Sequence, residues 1–339
     1  MRVLVTTLHR VSKRMQTHGY LLEIDWENQR ITRRIEAPPL WSHFGWRDRG
    51  GRRGLRGITF FKGLIWVASC DALFGLDPQS LEVERIISHP YMSHIHEIEA
   101  TEEGIWVTSI CGNGIFLIDE NQQVLKEAWL CGRPTEDLRV KLNHDMCKYH
   151  FNTVFIDGEE VFAYGLHTGQ VFRMWPPPII EVARLEKDCH NVVKTPYGWF
   201  RNVSKESVVR VGDREVKLPR RGREGEFTQP GWLRGMAWLS ETRVLVGSSP
   251  ASLFEIDIEK MQIVNEMQLE KDVCWTVFGI YVDKLMPTMY QPLPTQSERK
   301  ILVVDSAKRL VKSIRQRGFY GTAIVAGRRF RRFLNRLFP

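Results

Sequence analysis

One layout recurs along this chain at intervals of 40 to 54 residues, and no other feature restricts the possible fold as strongly. Several copies share a short strand, a turn, an apolar strand carrying an aromatic, a second turn, and a strand ending in Asp. Copies begin at Arg56 (RGITFFKGLIWVASCDALFGLDP), His96 (HEIEATEEGIWVTSICGNGIFLIDE), His150 (HFNTVFIDGEEVFAYGLHTGQVFRMW), His190 (HNVVKTPYGWFRNVSKESVVRVGD) and Arg234 (RGMAWLSETRVLVGSSPASLFEIDIEK). Strand-length runs of Val, Ile, Phe and Trp bounded by Gly, Asp, Asn or Pro predict short antiparallel strands. Four such strands per 40–50 residues is the repeat of a propeller blade.

A sixth copy is expected near Cys274, at VCWTVFGIYV. The N-terminal MRVLVTTL and GYLLEIDW are expected to complete it, closing the ring and removing the open sheet edge. The expectation is all-β: a β-propeller over residues 1–300, with six four-stranded blades (five or seven being the neighbouring counts), then a basic helical tail over residues 301–339. A pair of β-sandwiches is the alternative architecture.

The residues that open the inner strands repeat a polar pattern: Arg56-Gly57, His96-Glu97, His150-Phe151-Asn152, His190-Asn191, Arg234-Gly235 and Cys274-Trp275. Inner strands line the central channel, so these positions converge near its mouth. Neutral imidazoles of His96, His150 and His190 would then offer three ligands to a divalent transition metal (iron, manganese or zinc) with positions left open for substrate. His94, expected on the same strand face as His96, and His144 are further candidate ligands. Glu97, Asn152 and Asn191 are candidate partners of the imidazoles. Arg56 and Arg234 suit an anionic group of a substrate. The competing reading is structural, since a propeller's inner strands also use His and Asn to satisfy the backbone of adjacent blades.

The segments HEIEATEEGIWVTS, HFNTVFIDGEEVFAYG, CHNVVKTPYGWF and GWLRGMAWLSETRVLVGSS resemble, over residues 55–250, the motifs of an uncharacterised bacterial propeller-like family. That family carries H-[DE] before a G-[IL]-W strand, H-x-N-G, a His-led blade and R-G-[LM]-A. The resemblance implies a propeller with a polar centre. The chain departs from it at Asn152-Thr153, where Gly usually follows Asn, and at Cys189-His190-Asn191, where Pro-His-Ser is usual. It is more distantly similar to gluconolactonase/regucalcin-like six-bladed propellers, which hold a divalent metal at the axis through Glu, Asn and Asp.

Charge narrows the partners. Residues 306–339 carry ten Lys/Arg and no Asp/Glu; with the whole chain at +8, the first 305 residues stand at −2. A nearly neutral body points away from nucleic acid. Phe330, Phe333, Leu334, Leu337 and Phe338 fall on one helical stripe among arginines, a pattern suited to an anionic membrane surface or an acidic protein partner. No apolar run reaches the length of a membrane span, the N-terminus lacks the apolar core of a secretory signal, and the six cysteines form no CxxC pair. These features predict reduced thiols and a cytoplasmic protein, with association at the inner membrane face as the further expectation. Cys274 is a candidate nucleophile. The basic loops at 47–56 and 217–226 suit an acidic substrate or simple solvation. No nucleotide-binding glycine motif and no GxSxG elbow occurs. Two functions follow: a metal-dependent enzyme acting on a small anionic or modified metabolite, with Arg56, Arg234 and Glu97 as its working residues, oxidoreductase ahead of lyase or hydrolase; or a non-catalytic scaffold that binds a protein partner.

Overall fold

The computed structural model describes residues 1–11, 17–37, 54–134, 148–223 and 229–283. These residues form six four-stranded antiparallel sheets. The inner strands are Ile58–Phe61, Ile98–Ala100, Phe151–Asp157, Cys189–Thr195, Arg234–Trp238 and Trp275–Asp283, which head blades one to six in that order. Each inner strand touches the next, and the sixth touches the first, so the sheets close into a ring. The fold is a six-bladed β-propeller; a pair of β-sandwiches does not form.

The sequence periodicity explains why the blades pack this way. Middle strands such as Ile105–Ser109 and Gly114–Ile118 are buried along their whole length, because each blade is covered on both faces by its neighbours. Such strands read as continuous apolar runs, not as alternating ones. Outer strands are different: Ile180–Arg184 is almost entirely exposed. Six apolar clusters fill the six gaps between adjacent blades. The Trp of each G-I-W or L-I-W strand belongs to this core, Trp66 between blades one and two and Trp106 between blades two and three.

Blade six joins the chain ends. Trp275–Asp283 is its inner strand, followed outward by Arg2–His9, Tyr20–Asp25 and Arg30–Glu36. The third of these was not anticipated from sequence, because RITRRIE carries too many charges to stand out as a strand. Arg2, only 3% exposed, locks the closure. Its Nη1 donates to Asp283 Oδ2 at 3.0 Å, its Nε lies 3.4 Å from Glu23 Oε1, and its Nη2 donates to the Pro78 carbonyl of blade one at 2.6 Å.

The Asp that recurs at the end of several third strands has a local cause. Asp77 Oδ1 accepts the backbone N–H groups of Gln79 and Ser80, Asp119 those of Asn121 and Gln123, and Asp257 those of Glu259 and Lys260. Each carboxylate caps the turn into the fourth strand. The repeat is therefore written in turn chemistry as much as in hydrophobicity. The basic tail (301–339), His144, and the unseen parts of the two basic loops lie outside the described residues.

Candidate functional site

Irregularities at one end of the inner strands create the site. The strand pairing slips at Asn152, at Asn191–Val192, at Gly235, and at Phe278 where blade six pairs Gly279 and Val277 with Thr6 and Thr7. A bulge adds a residue to one strand and re-aims its side chain. His150 and Asn191 adopt positive φ values of 54° and 51° beside two of these bulges. Gly235 does so at 76°, where a Cβ would meet Ile280 Cγ1 at 3.0 Å. Gly57 serves closeness instead: a Cβ there would lie 2.8 Å from the Ile98 nitrogen, so glycine lets blade one approach blade two beside His96.

The bulged ends bring the predicted residues together. The His96 and His150 rings lie 5.2 Å apart, with Nε2 to Nε2 at 3.4 Å. The His190 ring is 6.0 Å from His96. His94 stands 5.7 Å from His96 and 5.9 Å from His150. It does so from an irregular segment with φ of 54° and not from a strand face shared with His96, as the spacing had suggested. Arg56 and Arg234 both lie over the Phe278 ring, at 5.3 and 4.7 Å. Arg56 is fully buried and its Nη1 donates to the Ile95 carbonyl at 2.7 Å, whereas Arg234 is half-buried. Burial, then the nearby Arg234, holds His96 and His190 well below the ordinary histidine value, so both are neutral imidazoles.

The partners of these groups differ from those expected. Asn152 Nδ2 donates to the Cys189 carbonyl at 2.7 Å. Asn191 Nδ2 donates to Glu97 Oε1 at 2.7 Å, while its Oδ1 accepts from Asn202 Nδ2 at 3.1 Å. Both asparagines thus serve partners other than the imidazoles. Ser204 takes that role, with its Oγ 2.7 Å from His190 Nδ1 and 2.7 Å from the Leu233 carbonyl. The serine proton goes to the carbonyl, which can only accept, so Nδ1–H of His190 is the donor and its Nε2 carries a lone pair. That Nε2 is buried and has no hydrogen-bond partner. Sequence reasoning also missed His167, 4.8 Å from the His150 ring, along with Phe278 and Trp232. None of these opens an inner strand, so the repeat gave no signal for His167 or Trp232.

Beyond the imidazoles the channel holds a cavity of about 260 Å³, lined by all six inner strands, with Thr59, Glu99, Thr153, Asn191, Met236 and Tyr281 among its walls. Glu97 and Glu99 face it. Burial, with Glu99 beside it, pushes the Glu97 carboxyl up to about 8, and burial pushes Glu99 to about 7. Glu99 is an exposed residue that lines this cavity. Since the folded state holds the Glu99 proton more tightly than the unfolded chain, the contribution of this group to stability declines as pH rises from 4.5 to about 7. Urea denaturation of Glu99→Gln should show a smaller loss of stability across that window than the parent; an identical slope would place Glu99 in ordinary solvent.

The candidate nucleophile Cys274 is a protonated thiol, pushed up by burial and by the adjacent Asp272. Its reactivity is correspondingly low.

A metal was tested against this donor set. Two imidazole nitrogens bound to a tetrahedral ion at about 2.1 Å are separated by about 3.4 Å. The His96–His150 pair has this spacing, and the bare His190 Nε2 supplies a third nitrogen of the right chemistry. No set of three nitrogens from this cluster lies within 4.8 Å of one another among the described residues, so three-fold ligation requires the His190 ring to move inward. The residues fit a metal held first by His96 and His150.

No family model matches the chain, and no curated protein matches it. Solved structures do. A chain in the crystal structure of a nidogen–laminin complex aligns with a TM-score of 0.54 at 7% identity, covering 82% of this chain and 97% of that one. The computationally designed Ika8 protein aligns at 0.41 with 12% identity (69% and 67% covered). A streptogramin B lyase aligns at 0.38 with 14% identity (60% and 68% covered). The first shows a shared propeller fold and nothing about activity. The likeness to the bacterial propeller-like family and to gluconolactonase-like proteins rests on the quoted motifs alone.

Proposed function

We propose that the axial site holds a divalent transition metal, iron, manganese or zinc, and acts on a small anionic or modified metabolite, with oxidoreductase chemistry ahead of lyase or hydrolase chemistry. The observation that carries this reading is the His96–His150 pair at ligand spacing beside the bare, buried Nε2 of His190. An imidazole-rich set with open positions suits iron and leaves room for a second reactant. The metal supplies Lewis-acid polarisation of a substrate oxygen.

The chain's own residues supply the rest. Arg234, half-buried against Phe278, offers guanidinium donors to a carboxylate or phosphate, and the buried Arg56 adds positive potential behind it. Glu97 is neutral at pH 7 because burial holds its proton. Its Oε1 accepts from Asn191, which leaves the proton on Oε2, a buried atom with no other partner, as the acid available to substrate.

Inorganic phosphate is the probe for the anion half of the reading. It is expected to raise the melting temperature of the parent protein but not that of Arg234→Met. Equal stabilisation of both proteins would remove Arg234 from the anion site.

The tail extends the proposal to localisation. Its basic, amphipathic pattern supports docking of a cytoplasmic protein on an anionic membrane surface or an acidic protein partner. Co-sedimentation of the full chain with phosphatidylserine vesicles, lost in Arg331→Glu/Arg332→Glu, is the corresponding readout; retention in the variant would count against it.

A further inference from the structure

We propose a second metal site, separate from the axial cluster, at the seam where the two ends of the propeller meet: His9, Asp272 and Cys274 bind one zinc-class divalent ion. One ligand atom from each residue lies within 4.8 Å of the other two. His9 Nε2 stands 3.8 Å from Asp272 Oδ2. Adjacent ligands of a tetrahedral zinc, at about 2.0–2.1 Å for nitrogen or oxygen and about 2.3 Å for sulfur, are about 3.3–3.6 Å apart. The cluster therefore closes on an ion with side-chain movements of about an ångström. Imidazole, carboxylate and thiolate together select a borderline-soft ion of the zinc type over calcium or magnesium.

The backbone holds the three ligands in place before any ion arrives. His9 ends the first strand of the chain and pairs in register with Trp275 of the last described strand. Arg10 N–H donates to the Cys274 carbonyl at 2.9 Å, tying the ligand segments together. Asp272 Oδ1 accepts the Cys274 N–H at 2.8 Å, and Trp275 N–H donates to the Asp272 carbonyl at 3.0 Å. This turn fixes the carboxylate and leaves Oδ2 toward His9. The His9 ring stands edge-on to Trp275 at 4.7 Å, and Trp275 stacks on Tyr20 at 4.7 Å, which sets the imidazole plane. Three protein ligands and a solvent-facing Asp272 leave the fourth position to water. Binding releases the Cys274 proton to solvent, because only the thiolate coordinates. An ion bridging the first strand to the segment that enters the last one acts as a clasp on ring closure.

Cobalt(II) reports this site specifically, because a thiolate ligand gives a near-ultraviolet charge-transfer band that the axial imidazoles cannot. Titration of the full-length His96→Ala/His150→Ala variant, which lacks the axial pair, is expected to saturate that band at one equivalent, with zinc displacing cobalt and raising the melting temperature. The band should persist in His96→Ala/His150→Ala and vanish in Cys274→Ser. Asp272→Asn and His9→Gln, which keep the thiol, should retain a weaker band with at least about tenfold lower affinity. Absence of the band at saturating cobalt, its survival in Cys274→Ser, or unchanged affinity in both other variants would each overturn the proposal. Melting curves of the variants without metal establish that they fold.

Discussion

Arg2→Met is expected to cost about 3–5 kcal/mol of stability, the largest effect we anticipate from one substitution outside the apolar core. Arg2 is buried with Glu23 (1% exposed) and Asp283 (7% exposed), and it also donates to the Pro78 carbonyl. Methionine fills similar space but leaves two buried carboxylates and a carbonyl without that cation. Arg33 still pairs with Glu23, so the loss falls mainly on the Arg2–Asp283 ion pair. Removing one partner of a buried ionic network costs far more than the network itself contributes. Because the three groups join the first strand, the last described strand and blade one, the loss is felt at ring closure. Urea denaturation of parent and variant measures it; a difference below about 1 kcal/mol would mean that water reaches these carboxylates in the folded state.

His150→Ala/His190→Ala is expected to leave the propeller folded and to remove axial metal, lowering affinity by at least about a hundredfold. The fold should survive because neither ring belongs to the apolar clusters between blades. Loss of the His190 ring takes one donor from Ser204, whose hydroxyl still bonds the Leu233 carbonyl, a cost of about 1–2 kcal/mol. His96 then stands alone as a nitrogen donor at the original ligand spacing. A folded variant that binds metal as tightly as the parent would place the ion elsewhere, and the seam cluster would be the first place to look.

Much of the fold was legible because two independent signals coincide in several repeats, as in blades one and two: the buried middle strand with its Trp66 or Trp106, and the Asp77 or Asp119 that caps the next turn. Chain closure was legible from MRVLVTTL and GYLLEIDW, which are too apolar to be anything but interior strands. The fourth strand of blade six was not, since Arg30, Arg33 and Arg34 break the apolar pattern and one of them is held by Glu23 from another strand. At the site, equivalent positions in successive blades singled out His96, His150 and His190. Spacing alone misplaced His94, because a positive φ turns its backbone away from the extended geometry that a two-residue spacing assumes. The partners of the imidazoles were invisible for a related reason. Ser204 reaches His190 from the turn that follows the strand paired beside it, and His167 reaches His150 from a turn. Neither relation has a signature in local sequence. The seam cluster was missed for the most distant reason, since His9 and Cys274 stand at opposite ends of the described chain.

Elemental analysis of protein purified without a histidine tag is the direct test for an axial metal. The measurement is best made in the Cys274→Ser background, so that the seam cluster contributes no thiolate site. About one iron, manganese or zinc per chain is expected, lost in His150→Ala/His190→Ala while the fold persists. A folded protein that holds no transition metal, even after anaerobic reconstitution with all three ions, would contradict it and leave the three histidines as structural groups of the channel.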